Sequence, residues 1–415
     1  MKHVTKLLGL LLLFSAFAMT VSSPAQAKKD FTVNTSSKPY KNKYVKTPVY
    51  NNYTKHYLTI RSYLDQMAKK GGGTLTIQKG TYNISNALLV PSNVKIVLQD
   101  GVVMNKISNS HTKKLKAGHV MFECVRNSRI NKKRVVGKYN GEKNIQIIGE
   151  GTVIMNLGGC NKSEAIRVPH CSNVVIDNIT FTNLRDGHFI EVTASKDVTI
   201  QNCTFKNNKN GERCAINLDT PDKVTNGFNG KYSKFDKTPV LNVTIQNCGF
   251  YNLHRGIDTH RFSPNKYHTN VQILGCTFKN SVQSPIMMLN WKNAVIKGNT
   301  IDTVKGWNTN NIQQEKFAIF MRGGVIDPII SENQINGVYM PFYAKGHKEA
   351  AGDIAAKYPA TYNSISATSI ESMKNNTLGD NCILRYFAIN HKGTLYIAKS
   401  EKHYNKYYVE PAQAQ

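Results

Sequence analysis

The sequence predicts an all-β chain wound as a right-handed parallel β-helix, and three observations carry that prediction. First, a nine-residue pattern recurs at NVVIDNITF (173–181), DVTIQNCTF (197–205), NVTIQNCGF (242–250), NVQILGCTF (270–278) and NAVIKGNTI (293–301), with weaker copies at 144–152 and 327–335. Each copy alternates apolar and polar residues, as a strand with one buried face must. Second, another family of short strands lies between the copies: AIRVP (165–169), FIEVT (189–193), AINLD (215–219), GIDTH (256–260), PIMML (285–289) and AIFMR (318–322). Third, no helical periodicity separates these strands, which argues against βαβ units. Short strands repeating every 24–30 residues or so, with insertions of variable length, describe a solenoid. Its right hand follows from the general preference of parallel crossovers.

The elements follow in chain order. Residues 1–27 have a basic start, an apolar stretch from Leu7 to Met19 and a small-residue end, Ala25-Gln26-Ala27. These are the parts of a secretory signal peptide, so the expected destination is outside the cell, released or held on an anionic wall. Residues 28–54 form an N-terminal extension. Tyr57 to Lys70 carries Leu58, Ile60, Leu64 and Met67 and reads as an amphipathic helix capping the first coil. A solenoid needs such a cap because its terminal strands present open edges. The β-helix is expected over 55–344, and residues 345–415, which lose the repeat, read as an irregular C-terminal cap.

Composition narrows the function. Hydrophobic residues make up 40% of the 415 positions, enough to exclude a disordered polar chain. With 54 Lys+Arg against 26 Asp+Glu, the formal charge is +28, which calls for an anionic partner. No second apolar run suggests a membrane span, and export together with the lack of a groove-reading helix argues against nucleic acid. A monomer is expected. Cys203, Cys248 and Cys276 occupy one repeat position where Ile179 and Asn299 stand in the flanking copies. A position shared with isoleucine suits a small core filler better than a disulfide or a zinc ligand.

The segment GGGTLTIQKGTY (71–82) and the repeats over roughly 55–340 resemble the pectate-lyase-like superfamily of secreted β-helix proteins. That resemblance implies the fold and a carbohydrate-related role. Its members include polysaccharide lyases, glycoside hydrolases, uronate epimerases and noncatalytic adhesins. This chain lacks the NTD, DD, GHG and RIK motifs of the polygalacturonase-like hydrolases, and the vWiDH and RxPxxR patterns of pectate lyases. The resemblance therefore leaves the chemistry open.

Candidate site residues come from the second strand family. Ile166, Ile190, Ile216, Ile257, Ile286 and Ile319 align as an inward column, so Arg167, Glu191, Asn217, Asp258, Met287 and Phe320 should face out. Asp219, His260 and Arg322 fall in a second outward column. Carboxylates stacked on neighbouring rungs repel one another, so such a face suggests a functional groove. Asp219, Asp258, His260 and Arg322 are the candidate catalytic groups. Arg167, Glu191, Asn217, His188, Arg255, Arg261, Asn290, Trp291 and Lys292 are candidate contacts to substrate. Trp291 can be read as an exposed sugar platform or as a buried core residue. Glu191, Asp219 and Asp258 offer hard oxygen ligands for Ca²⁺.

Three chemistries fit these residues. β-Elimination from an acidic, uronate-containing polysaccharide needs a cation to neutralise the carboxylate and a base to remove the C5 proton. Hydrolysis needs paired carboxyls about 5–9.5 Å apart. C5 epimerisation would use the same base and neutraliser as elimination. The charge places a polysaccharide lyase first, a hydrolase second, and a noncatalytic wall-binding or adhesive β-helix third.

Overall fold

The computed structural model describes residues 29–45, 48–208, 213–259, 262–304, 316–347 and 357–382, and the backbone of two short strands, Phe387–Ala388 and Tyr408–Val409. The leader at 1–27, His260 and Arg261 lie outside the described residues.

Every coil runs through three parallel sheets in turn. The coil Ser172–Asp177, Thr180–Leu184, Gly187–Thr193 is followed by Lys196–Gln201, Thr204–Asn208, Cys214–Asp219, and then by Leu241–Gln246, Gly249–Tyr251, Arg255–Asp258. Among the described residues the first, second and third sheets hold eleven, ten and nine strands. Sheet one pairs Val174 with Val198, Val243 and Val271 in succession, so like residues stack on like. In sheet two, Phe181, Phe205, Phe250 and Phe278 form one buried stack with successive ring centroids 5.0, 4.9 and 4.5 Å apart. Sheet three pairs Ile166, Ile190, Ile216, Ile257, Ile286 and Ile319 in the inward column that alternation predicts.

The corner between sheets one and two explains the repeat. Asn178, Asn202 and Asn247 adopt φ of 52°, 54° and 53°, with Gly275 and Gly298 at the same place in later coils. Asparagine and glycine tolerate this left-handed conformation, whereas other residues pay about 1–2 kcal/mol. Asn247→Val is therefore expected to lower unfolding free energy by about 1–2 kcal/mol, and Asn247→Gly by much less, as denaturant titration would show.

The next position points inward. Cys203, Cys248 and Cys276 fill it as core residues, and all eight cysteines are buried and unbridged. Farther along, Asn299, Asn333 and Asn376 take over as a buried ladder. Asn299 Nδ2 donates to Asn333 Oδ1 at 2.8 Å, and Asn333 Nδ2 to Asn376 Oδ1 at 2.7 Å. Their remaining amide capacity meets backbone carbonyls and N–H groups, so this polar column enters the core without orphaned groups.

At the amino end the predicted cap is the helix Lys55–Lys69, with Leu58, Ile60, Leu64 and Met67 buried against the first coil. The segment read as an extension contributes a strand, Phe31–Val33, which pairs with Gly73–Ile77 and covers the edge of sheet one. At the other end, helix Ala367–Lys374 packs on strand Ile329–Ser331, and Thr377–Leu378 adds a rung to sheet two. No helix among the described residues is long and apolar enough to cross a membrane.

Candidate functional site

Sheet three sets the predicted outward column on neighbouring strands. Its register runs Glu123, Arg167, Glu191, Asn217, Asp258, Met287, Phe320, and Thr193 pairs with Asp219. Asp219 and Asp258 thus lie on adjacent rungs, outside the apolar lumen.

The structure corrects the expectation of an open groove. Glu191, Asn217, Asp219 and Asp258 are all less than a tenth exposed, because long connections fold back over the sheet. The segment leaving Asp219 brings Phe228 to 5.4 Å from the Arg167 guanidinium and Tyr232 Oη to 2.6 Å from Glu123 Oε1. It packs against the connection after Cys124, with Leu89, Val125, Val136, Phe228 and Tyr232 forming a separate apolar cluster. Nearby, Asp222 accepts hydrogen bonds from Ser263 Oγ and Tyr358 Oη, both at 2.6 Å, which ties the distant 357–363 segment onto the same side.

Beneath this cover three carboxyls share one guanidinium. Arg167 forms a two-pronged pair with Glu164, one contact being 2.7 Å, and lies 3.4 Å from Glu191 and 3.7 Å from Glu123. Burial opposes ionisation of both Glu164 and Glu191, but the outcomes differ. The Arg167 charge and hydrogen bonds overcome burial at Glu164 and hold it at about 2. Burial and the Glu164 charge push Glu191 well above the carboxylate range. The contact between the two carboxyls works in the same sense, lowering Glu164 and raising Glu191. Sequence reading missed Glu164, because strict alternation places it on the face opposite Arg167. Ala165 and Ile166 both enter the core, and this phase slip returns Glu164 to the Arg167 side.

The remaining candidates scatter. Arg255 pairs with Asp258 at 3.1 Å and with Gln283 at 2.7 Å. His188 is buried, its Nδ1 3.2 Å from Cys214 O, and burial lowers its pKa. Arg322 follows strand Phe317–Met321, three rungs from Asp219, which is roughly 14 Å at the spacing of neighbouring strands. The strand of Met287 lies between it and Asp258. Asn290 is a buried turn residue at φ 59° that donates to Ser263 O and Lys266 O. Past that turn the chain enters sheet one. Trp291 is fully buried there and donates to Thr259 Oγ1 at 2.7 Å, while Lys292 is exposed on the far side of the corner. Trp291 consequently offers no sugar platform.

The donor set does not fit calcium. Glu191 lies against Arg167 at 3.4 Å, Asp258 is held by Arg255, and Asp219 Oδ1 caps the Thr220 N–H at 2.7 Å. Among the described residues, no three acidic, histidine or cysteine side chains converge as metal ligands.

Comparison with known proteins agrees with the architecture. Residues 97–301 match the family described as "Right handed beta helix region". Plasmin and fibronectin-binding protein A of Streptococcus pneumoniae is 27% identical over 265 residues, covering 57% of this chain and 35% of that protein. The match thus spans about a third of that relative's length. A crystal structure of PfbA, a surface adhesin of Streptococcus pneumoniae, superposes with a TM-score of 0.55 at 18% identity, over 79% of this chain and 77% of that one. A second structure of the same adhesin gives 0.53 at 17% identity, over 78% and 84%. Stacked coils, three parallel sheets and the matched region together make this chain a right-handed parallel β-helix protein.

Proposed function

We propose that this chain is an extracellular, noncatalytic β-helix that engages anionic polymers at a cell surface. One observation carries the reading: the acids of sheet three are buried, with Glu164, Glu191 and Asp258 held against Arg167 or Arg255, whereas the lysines behind the +28 charge include many on the open surface, such as Lys113, Lys116, Lys132, Lys133 and Lys162. Such a surface attracts polyanions, and its attraction weakens as salt screens it. The similarity to a surface adhesin supports the same reading. Wild-type protein is expected to bind polygalacturonate or heparin in a salt-dependent manner, with no unsaturated uronate or new reducing end appearing. Absence of binding at low salt would overturn it.

A lyase cleaving an acidic polysaccharide by β-elimination is the second reading, favoured by the Glu164–Glu191 pair. Two neighbouring carboxyls whose pKa values are pushed in opposite directions beside a guanidinium suit acid–base work. On this reading the polymer would produce an ultraviolet-absorbing unsaturated product, and Glu191→Gln would abolish it.

A further inference from the structure

We infer that the corner between sheets two and three, over the early coils, is a binding site for an anionic glycan chain. The inference rests on the polyanion-binding reading and gives it a location. Where strand Val102–Ile107 ends, residues 108–118 form a broad turn before strand Val120–Glu123. One coil later, residues 160–162 make the same crossing between Ile154–Gly159 and Ser163–Pro169. Two adjoining clefts of about 510 and 230 Å³ open here and share Ser108 and Ala117. No aspartate or glutamate lines either one. Lys113, Lys116 and Lys162 do, with His111 and His119, and all five are exposed.

Two further features distinguish this corner from scattered surface charge. Tyr53, 43% exposed, stacks on the His111 ring with centroids 3.7 Å apart and planes 21° from parallel. An exposed aromatic face beside cations suits the apolar face of a sugar ring whose acid group meets the lysines. The turn is also held in place. Asn51 Nδ2 donates to Ser110 O at 3.0 Å, Asn86 Nδ2 to Lys116 O at 2.7 Å, and Gly118 N to Ser85 O at 3.0 Å. A site fixed beforehand loses less freedom on binding. From the following coil, Arg185 donates to Asn161 Oδ1 at 2.9 Å and extends the cationic row along the axis. The cleft under the capping helix differs, since Asp65 lines it and Glu142 holds its Arg126.

Lysines recognise carboxylate and sulfate alike, so the test uses both. Titrations with polygalacturonate, heparin, neutral dextran and an oligothymidylate would compare wild type, Lys113→Ala/Lys116→Ala/Lys162→Ala, and the charge-matched control Lys132→Ala/Lys133→Ala/Lys143→Ala. All six lysines are exposed, and thermal melts would verify retained folding. The corner variant is expected to bind the anionic glycans about tenfold more weakly with a shallower salt dependence, and the control within about threefold of wild type. Tyr53→Ala is expected to lose affinity severalfold at an unchanged salt slope. Equal weakening by both triple variants would overturn the corner site and leave polyanion binding standing. No binding by wild type would remove that reading and the site together. Oligothymidylate binding as tight as glycan binding, with Tyr53→Ala silent, would reject a glycan site.

Discussion

Phe250→Ala is expected to lower the unfolding free energy by about 3–5 kcal/mol, among the largest losses any single substitution in this chain would cause. Phe250 is fully buried between Phe205 and Phe278, at centroid distances of 4.9 and 4.5 Å. Truncation removes the transferred apolar area and leaves a cavity that neighbouring coils cannot close, because backbone pairing fixes their spacing. Each coil of a solenoid is stabilised chiefly by its neighbours, so the loss should also broaden the thermal transition. Guanidinium titration followed by circular dichroism measures the effect. A change below about 1 kcal/mol would mean that the stack is not a principal source of cohesion.

Arg167→Leu is expected to cost about 3–5 kcal/mol at neutral pH, for an electrostatic reason. It strips the cation from Glu164, Glu191 and Glu123, all buried. In the wild type, Glu164 is held at about 2 against an ordinary value of 4.5. Its stabilising contribution is therefore complete above pH 4.5 and is lost as pH falls toward 2. Glu191 has the opposite sign: its raised pKa makes folding less favourable as pH climbs through and above the ordinary carboxylate range. Without Arg167, burial drives both groups in the Glu191 direction, so the variant should regain more stability than wild type on acidification from neutral pH. Denaturation midpoints across a pH series test this, and parallel profiles would refute the role given to Arg167.

Much of the framework was legible because it is local. The period-two alternation in DVTIQNCTF and AINLD sets which side chains enter the lumen, and parallel pairing of successive copies then stacks like residues on like. Asn202 and Asn247 mark the corner because the left-handed turn requires them or glycine. Reading Cys203 as a core filler followed from its exchange with isoleucine. Glu164 was not legible, because the phase slip at Ala165–Ile166 leaves no trace in a period-two pattern. Trp291 could be read either way, since its orientation depends on the Asn290 turn and on finding Thr259 as a partner.

By itself, then, the sequence determined the coil, the caps and the order of neighbours along each column, all consequences of side-chain alternation and backbone conformation over a few residues. Only the tertiary structure decided whether the acidic column of sheet three meets solvent. Phe228, Tyr232 and Tyr358 close over it from segments whose approach depends on long-range packing: Tyr358 reaches Asp222 across 136 residues. No local pattern encodes such contacts, because the free energy that places a covering loop comes from the surface it meets and from the charges it buries.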